Sequence, residues 1–115
     1  MEFIGRKDNP TYLKEFSITE DRRDGNRIYF LVKGQVFINE ASIMEKVLQE
    51  AAQEDNYDII LDMKEVTVFG SAGIRVVLSM YKKLKAKGKK FRISSPSENV
   101  KNVIGMVALD ELLFK

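Results

Sequence analysis

The apolar positions of this chain change their spacing several times, and each change marks an element. Phe16 and Ile18 alternate with polar neighbours, and Ile28-Tyr29-Phe30-Leu31-Val32 is a dense β-rich run. Between them lies Arg22-Arg23-Asp24-Gly25-Asn26, whose Asp-Gly pair predicts a hairpin turn. After Gly34-Gln35-Val36 the spacing predicts a first helix from about Glu40 to Ala52, with Asn39 as its N-cap and Glu40 placed against the dipole. Met44, Val47, Leu48 and Ala51 form its apolar stripe. A polar loop, Gln53 to Asn56, leads through Tyr57 to Ile59-Ile60-Leu61, the near-continuous apolar run of a strand buried on both faces. A polar step, Asp62 to Glu65, separates it from a second run, Val66-Thr67-Val68-Phe69.

The chain then turns through Gly70-Ser71-Ala72-Gly73 and the period becomes helical. Ile74, Val77, Leu78, Tyr81 and Leu84 recur at the spacing of one helix face. Lys87-Gly88 reads as a helix stop with glycine just beyond it. A short strand, Phe91-Arg92-Ile93-Ser94, ends at Ser95-Pro96. Ser97 then caps a third helix that buries Val100, Val103, Ile104 and Val107. Strands alternating with helices predict an α/β fold, with parallel pairs at the centre and an antiparallel opening hairpin. The segment 1–12, with Pro10 and the mixed charges of Arg6, Lys7 and Asp8, reads as a lead-in to a single domain over 13–115.

Ser71, at the joint between strand and helix, is the first candidate for chemistry. Its hydroxyl can accept a hydrogen bond from the free N–H groups of the first turn. The same N–H groups and the helix dipole favour an anion, so a phosphate on this hydroxyl would be tolerated locally. Gly70 and Gly73 leave room for another molecule's backbone to approach. The simpler reading of these residues alone is an N-cap serine between two turn glycines.

Composition narrows the function classes. A chain of 115 residues suits one domain, and 44% hydrophobic residues suffice for a core. The chain has no cysteine, which removes disulfides and thiol chemistry and fits a reducing compartment. It also has no histidine, which excludes His-based triads and the commonest transition-metal sites. No metal and no organic cofactor are expected. No apolar run reaches the ~18 residues of a membrane span, and the first residues have no secretory core. A soluble, cytoplasmic protein with no membrane partner is the expectation. The net charge of +2 gives no nucleic-acid signal. Lys82, Lys83, Lys85, Lys87, Lys89, Lys90 and Arg92 form a basic cluster, read as the solvated side and last turn of a helix, with phosphate steering as the other reading.

Catalysis finds little support. Asp58 and Asp62, four residues apart on a strand, stand ~13 Å from each other, too far for paired acids. No histidine can serve Ser71 as a base, and Gly70-Ser71-Ala72-Gly73 lacks the spacing of a phosphate-binding loop. The chain is therefore read as a non-enzyme. On the second helix, Val76 falls opposite the expected core stripe and Met80 at its margin. With Gly70, Ala72 and Gly73 they would form a flat, weakly charged patch around Ser71, suited to a protein partner. A scattered surface valine is the ordinary alternative.

The order acidic residue, Val-x-Phe, then a Gly-Ser-Ala-Gly-Ile turn opening a helix (Asp62 to Ile74) resembles the signature of STAS domains, the sulfate-transporter and anti-sigma-factor-antagonist modules. Gly34-Gln35-Val36-Phe37-Ile38-Asn39-Glu40-Ala41 is similar to the family's Gly-x-[Leu/Ile]-Asp-x-x-x-Ala, with Phe37 in place of the acid, and Leu109 to Phe114 to its usual ending. The resemblance spans Leu13 to Phe114 and implies one STAS-like domain, a mixed sheet of four to five strands with helices packed against it. It also implies an anti-sigma factor antagonist, a monomer or weak dimer whose partner is an anti-sigma factor of the serine-kinase type. The phosphoacceptor would be Ser71, and the partner surface Phe37, Asn39, Gly70, Ser71, Ala72, Gly73, Val76 and Met80. Gly70 stands where many members carry Asp, so two acids are missing around the serine. The competing expectations are a constitutive STAS scaffold without a phosphorylation cycle and a small-ligand or nucleotide-binding STAS module.

Overall fold

The hairpin and the alternation of elements are both realised. A computed structural model describes residues 11–13, 16–54, 57–107 and 113. Five strands form one sheet in sequence order: β1 (Thr11–Leu13), β2 (Phe16–Asp24), β3 (Arg27–Val36), β4 (Asp58–Phe69) and β5 (Phe91–Pro96). β1–β2 and β2–β3 are antiparallel, whereas β3–β4 and β4–β5 are parallel. The parallel pairs are bridged by α1 (Ile38–Ala52) and α2 (Ser71–Ala86), and α3 (Glu98–Met106) follows β5. Thr11 and Tyr12, read from the sequence as lead-in, pair with β2. The lead-in residues 1–10 and the family-like ending at 109–112 and 114 lie outside the described residues. Among the described residues no helix is long and apolar enough to cross a membrane.

Local chemistry explains where the elements stop. Gly25 adopts φ +62° in the two-residue turn between β2 and β3, a conformation that costs glycine nothing. Gly88, at φ +74°, lies just past the Lys87 C-cap of α2, where a left-handed residue lets the last carbonyls be satisfied. The Ser97 hydroxyl accepts from the Val100 N–H at 3.2 Å and caps α3 as expected. α3 buries Val100 and Ile104, leaves Val103 half-buried and exposes Val107.

The core sits on one face of the sheet. Ile28, Phe30 and Val32 on β3, Ile59, Leu61 and Met63 on β4, and Phe91 and Ile93 on β5 are buried against the helices. Their neighbours Tyr29, Leu31, Ile60 and Arg92 are half-buried on the other face. β4 is thus covered on one side, and the expectation of burial on both faces fails at Ile60. The open face is partly shielded by its own long side chains: the Arg22 guanidinium lies 3.8 Å over the Tyr29 ring.

The polar step Asp62 to Glu65 does not break β4. From Asp62 to Glu65 β4 uses four residues where β3 uses three (Leu31 to Lys33), one extra, which makes it a bulge within one strand. Asp62 stabilises it locally, accepting from the Lys64 N–H at 3.1 Å and from Lys64 Nζ at 2.9 Å.

At the hairpin end, Arg23 joins β2 to the end of α1 through Glu20 and Glu54, each at 2.8 Å. The Arg23 guanidinium holds the Glu54 carboxyl below its ordinary value. A carboxylate so lowered adds stability above its unfolded-state pKa, about 4.3, and loses it as pH falls through the folded value. Because the pair is more than one-third exposed, Arg23→Ala is expected to cost no more than about 1 kcal/mol at neutral pH. Urea unfolding should show this gap closing in acid. A gap that widens in acid would contradict the assignment.

Candidate functional site

The C-terminal ends of the parallel strands β3 and β4 bring the two turns of interest together. Val36 pairs with Phe69, and one residue on, the Gly70 N–H donates to the Val36 carbonyl at 2.9 Å. Gly70 is the N-cap of α2, extended at φ −84°, and its carbonyl accepts from Gly73 N–H and Ile74 N–H. Ser71 is therefore the first helical residue and not the cap. Its side chain is exposed, and no described group hydrogen-bonds its hydroxyl.

Across from it, α1 begins two residues earlier than its sequence suggests. Phe37 is the N-cap, its carbonyl accepts from Ala41 N–H at 2.8 Å, and the Glu40 carboxylate accepts the Phe37 N–H at 3.1 Å. This is the acidic half of a capping box, and it places Asn39 inside the first turn. Two helix starts thus lie side by side, a hollow of about 500 Å³ between them. Phe37, Ile38 and Asn39 line one side and Gly70, Ser71 and Ala72 the other, with Glu40 nearby.

The structure brings five of the expected partner residues to this hollow, Phe37, Asn39, Gly70, Ser71 and Ala72, of which Ala72 lines it from a largely buried position at 8% exposure. It removes the other three. Val76 is 6% exposed and Met80 not at all, so both are core residues, and the expectation that they form a partner surface is corrected. Gly73 is also buried: a Cβ there would sit 2.6 Å from the Phe69 ring, so this glycine serves close packing of α2 on β4. The reason for the error is the width of the apolar arc on α2. At ~100° per residue, Ala72, Val76, Met80, Leu84 and Val77 cover one arc, and Tyr81, Ile74 and Leu78 the adjoining one. α2 buries the first arc and leaves the second half-covered.

Ile38 was not expected here, and it is the most exposed residue of the hollow's apolar rim, at 77%, beside Phe37 at 48%. Its signal lies in the helical projection, where it falls beyond the arc of Ala41, Met44, Val47, Leu48 and Ala52 that α1 buries. The hollow can accept a protein surface or an anion near the α2 start, where the Ser71 and Ala72 amides lack intrahelical acceptors. It is poorly equipped for nucleophilic catalysis, because its acid, Glu40, is engaged by the Phe37 N–H and no described group hydrogen-bonds the Ser71 hydroxyl. Among the described residues no three acidic side chains are grouped to hold a metal ion.

Strand order, crossovers and a serine-headed second helix define a STAS-type module, and the chain belongs to the STAS domain family, whose model matches residues 17–115. The fold is similar to that of an anti-sigma factor antagonist from Mycobacterium paratuberculosis, with 19% identity, a TM-score of 0.73, and 96% of this chain and 87% of that one covered. It is also similar to the anti-sigma factor antagonist SpoIIAA in its unphosphorylated form, with 17% identity, a TM-score of 0.71, and 86% and 85% covered. The phosphorylated form of SpoIIAA, a Bacillus cell fate determinant, matches at 15% identity and a TM-score of 0.68, with 86% and 88% covered. No curated protein matches this chain in sequence.

Proposed function

We propose that this chain is an anti-sigma factor antagonist: a non-catalytic, cytoplasmic switch that docks an anti-sigma factor with serine-kinase activity and is released when Ser71 is phosphorylated. The observation that carries the proposal is an exposed, unbonded hydroxyl at the first position of α2, rimmed by the exposed apolar side chains of Phe37 and Ile38. A kinase needs that hydroxyl free, and a protein partner gains from covering the rim. The solved relatives, with SpoIIAA known in unphosphorylated and phosphorylated forms, lend support at the level of the fold.

The test is incubation with the kinase partner and ATP, followed by mapping of the product by mass spectrometry. Phosphate on Ser71, absent from Ser71→Ala, is the expected result; phosphate on another residue would reject the switch. Complete lack of modification with binding intact would favour a constitutive scaffold, consistent with Gly70 and Phe37 in place of the family's acids.

The rim makes a separate prediction. Ile38→Asp should leave stability within about 0.5 kcal/mol, because the side chain is exposed and an acid suits a helix start. Partner affinity should fall at least ~10-fold, the equivalent of about 1.4 kcal/mol. Titration calorimetry showing parental affinity would remove Ile38 from the interface.

A further inference from the structure

The open face of the sheet carries a second hollow, at the strand ends opposite to Ser71. It has a volume of about 340 Å³ and lies over the beginnings of β3, β4 and β5. Arg27, Lys90 and Arg92 project into its lining, and among the described residues none of the three has an acidic partner in an ion pair. The one acid present, Asp58, is engaged: its carboxylate accepts the Lys90 backbone N–H at 2.9 Å. Three cations against one acid leave a formal charge of +2 in this hollow, equal to that of the whole chain. An anion seated among them gains from the excess positive charge of this face.

The floor gives the rest of the ligand's character. Ile60 and Tyr29 are half-buried apolar surface within the same hollow, and Arg22 stacked at 3.8 Å holds the Tyr29 ring. Guanidinium groups match phosphate oxygens in a two-pronged geometry, and Lys90 adds a mobile point charge. We infer that this hollow binds a small organic phosphate, its phosphate held by Arg27, Lys90 and Arg92 and its apolar part resting on Ile60 and Tyr29. The volume suits a small molecule and not an extended polymer. β4 separates the hollow from Ser71 by on the order of 30 Å, so this binding is independent of the proposed phosphorylation.

The experiment is an NMR titration of the isotope-labelled full chain with phenyl phosphate, inorganic phosphate and phenol. Saturable shifts with phenyl phosphate at Tyr29, Ile60 and Arg92, with the Ser71 amide unmoved, are expected. Arg27→Gln/Lys90→Gln should weaken binding at least tenfold with an unchanged unfolding temperature, and Ser71→Ala should bind as the parent does. Shifts spread over the Lys82–Lys85 side of α2, or equal binding by the double variant, would overturn the inference. Inorganic phosphate binding as tightly as phenyl phosphate would overturn the organic part. A polyglutamate peptide that binds this face where phenyl phosphate does not would replace the small ligand with an acidic protein partner.

Discussion

Val76→Glu is expected to destabilise the domain by about 3 kcal/mol or more, through two effects that act in the same direction. The Val76 side chain is 6% exposed within the core cluster, so its apolar burial, worth roughly 1.5–3 kcal/mol, is lost. A carboxylate in its place finds Ala72 and Met80 one helical turn away and no prepared cation, and an unpaired buried charge carries a further penalty. For a domain of this size each kcal/mol moves the melting temperature by about 4–8 °C or slightly less. A fall of at least ~10 °C should therefore appear in a thermal scan. A change of only a degree or two would return Val76 to the surface and reopen α2 as a docking face.

Phosphorylation of Ser71 is expected to do the reverse: leave the fold intact and abolish partner binding. The phosphate adds about −1.5 to −2 charges at neutral pH. At the first turn of α2 that charge is favourable by roughly 0.3–1 kcal/mol, so the melting temperature should hold or rise slightly. Under a docked partner the balance changes. The hollow around Ser71 has Phe37 and Ile38 on its rim and Glu40 as its charged residue, with no cation in its lining. A doubly charged group pressed into such an interface loses water without compensation, at a cost of about 3 kcal/mol or more. Affinity should fall at least ~100-fold. Calorimetry on the modified and unmodified proteins decides this; equal affinities would reject the release mechanism even with the phosphate in place.

The pattern of periods and punctuation made the alternation of strands and helices, the parallel centre and the opening hairpin legible, though not β1, which read as lead-in. Asp24-Gly25, Lys87-Gly88 and Ser97 marked their boundaries because each satisfies a local geometric need that tertiary packing does not override. Which face of an element meets the core was less legible. α2 is apolar over more than half its circumference, so the projection through Ile74, Leu78 and Tyr81 looked as good as the one the fold uses. Ile59-Ile60-Leu61 read as doubly buried, yet Ile60 is only half-buried, with no described helix over its side. Asp62 to Glu65 looked like an interruption because a bulge is a property of the pairing with β3, and no single strand displays it. Of the candidate site, Ser71, Gly70 and Phe37 were legible as motif positions. The approach of the two helix starts, which adds Ile38 and excludes Val76 and Met80, exists only once β3 and β4 lie side by side.

The space beside Gly70 bears on how this chain could change by descent. A Cβ at that position would stand 3.3 Å from the Val36 carbonyl oxygen and 3.9 Å from the Phe37 ring. The ring lies at ordinary contact distance, so the constraint at position 70 comes from the backbone of the neighbouring turn and not from the side chain at 37. A side chain at 70 would need the Val36 carbonyl to give by a few tenths of an ångström, and shortening residue 37 would not relieve that contact. Two turns separated by more than thirty residues thus limit each other through main chain, which substitution at either turn cannot remove.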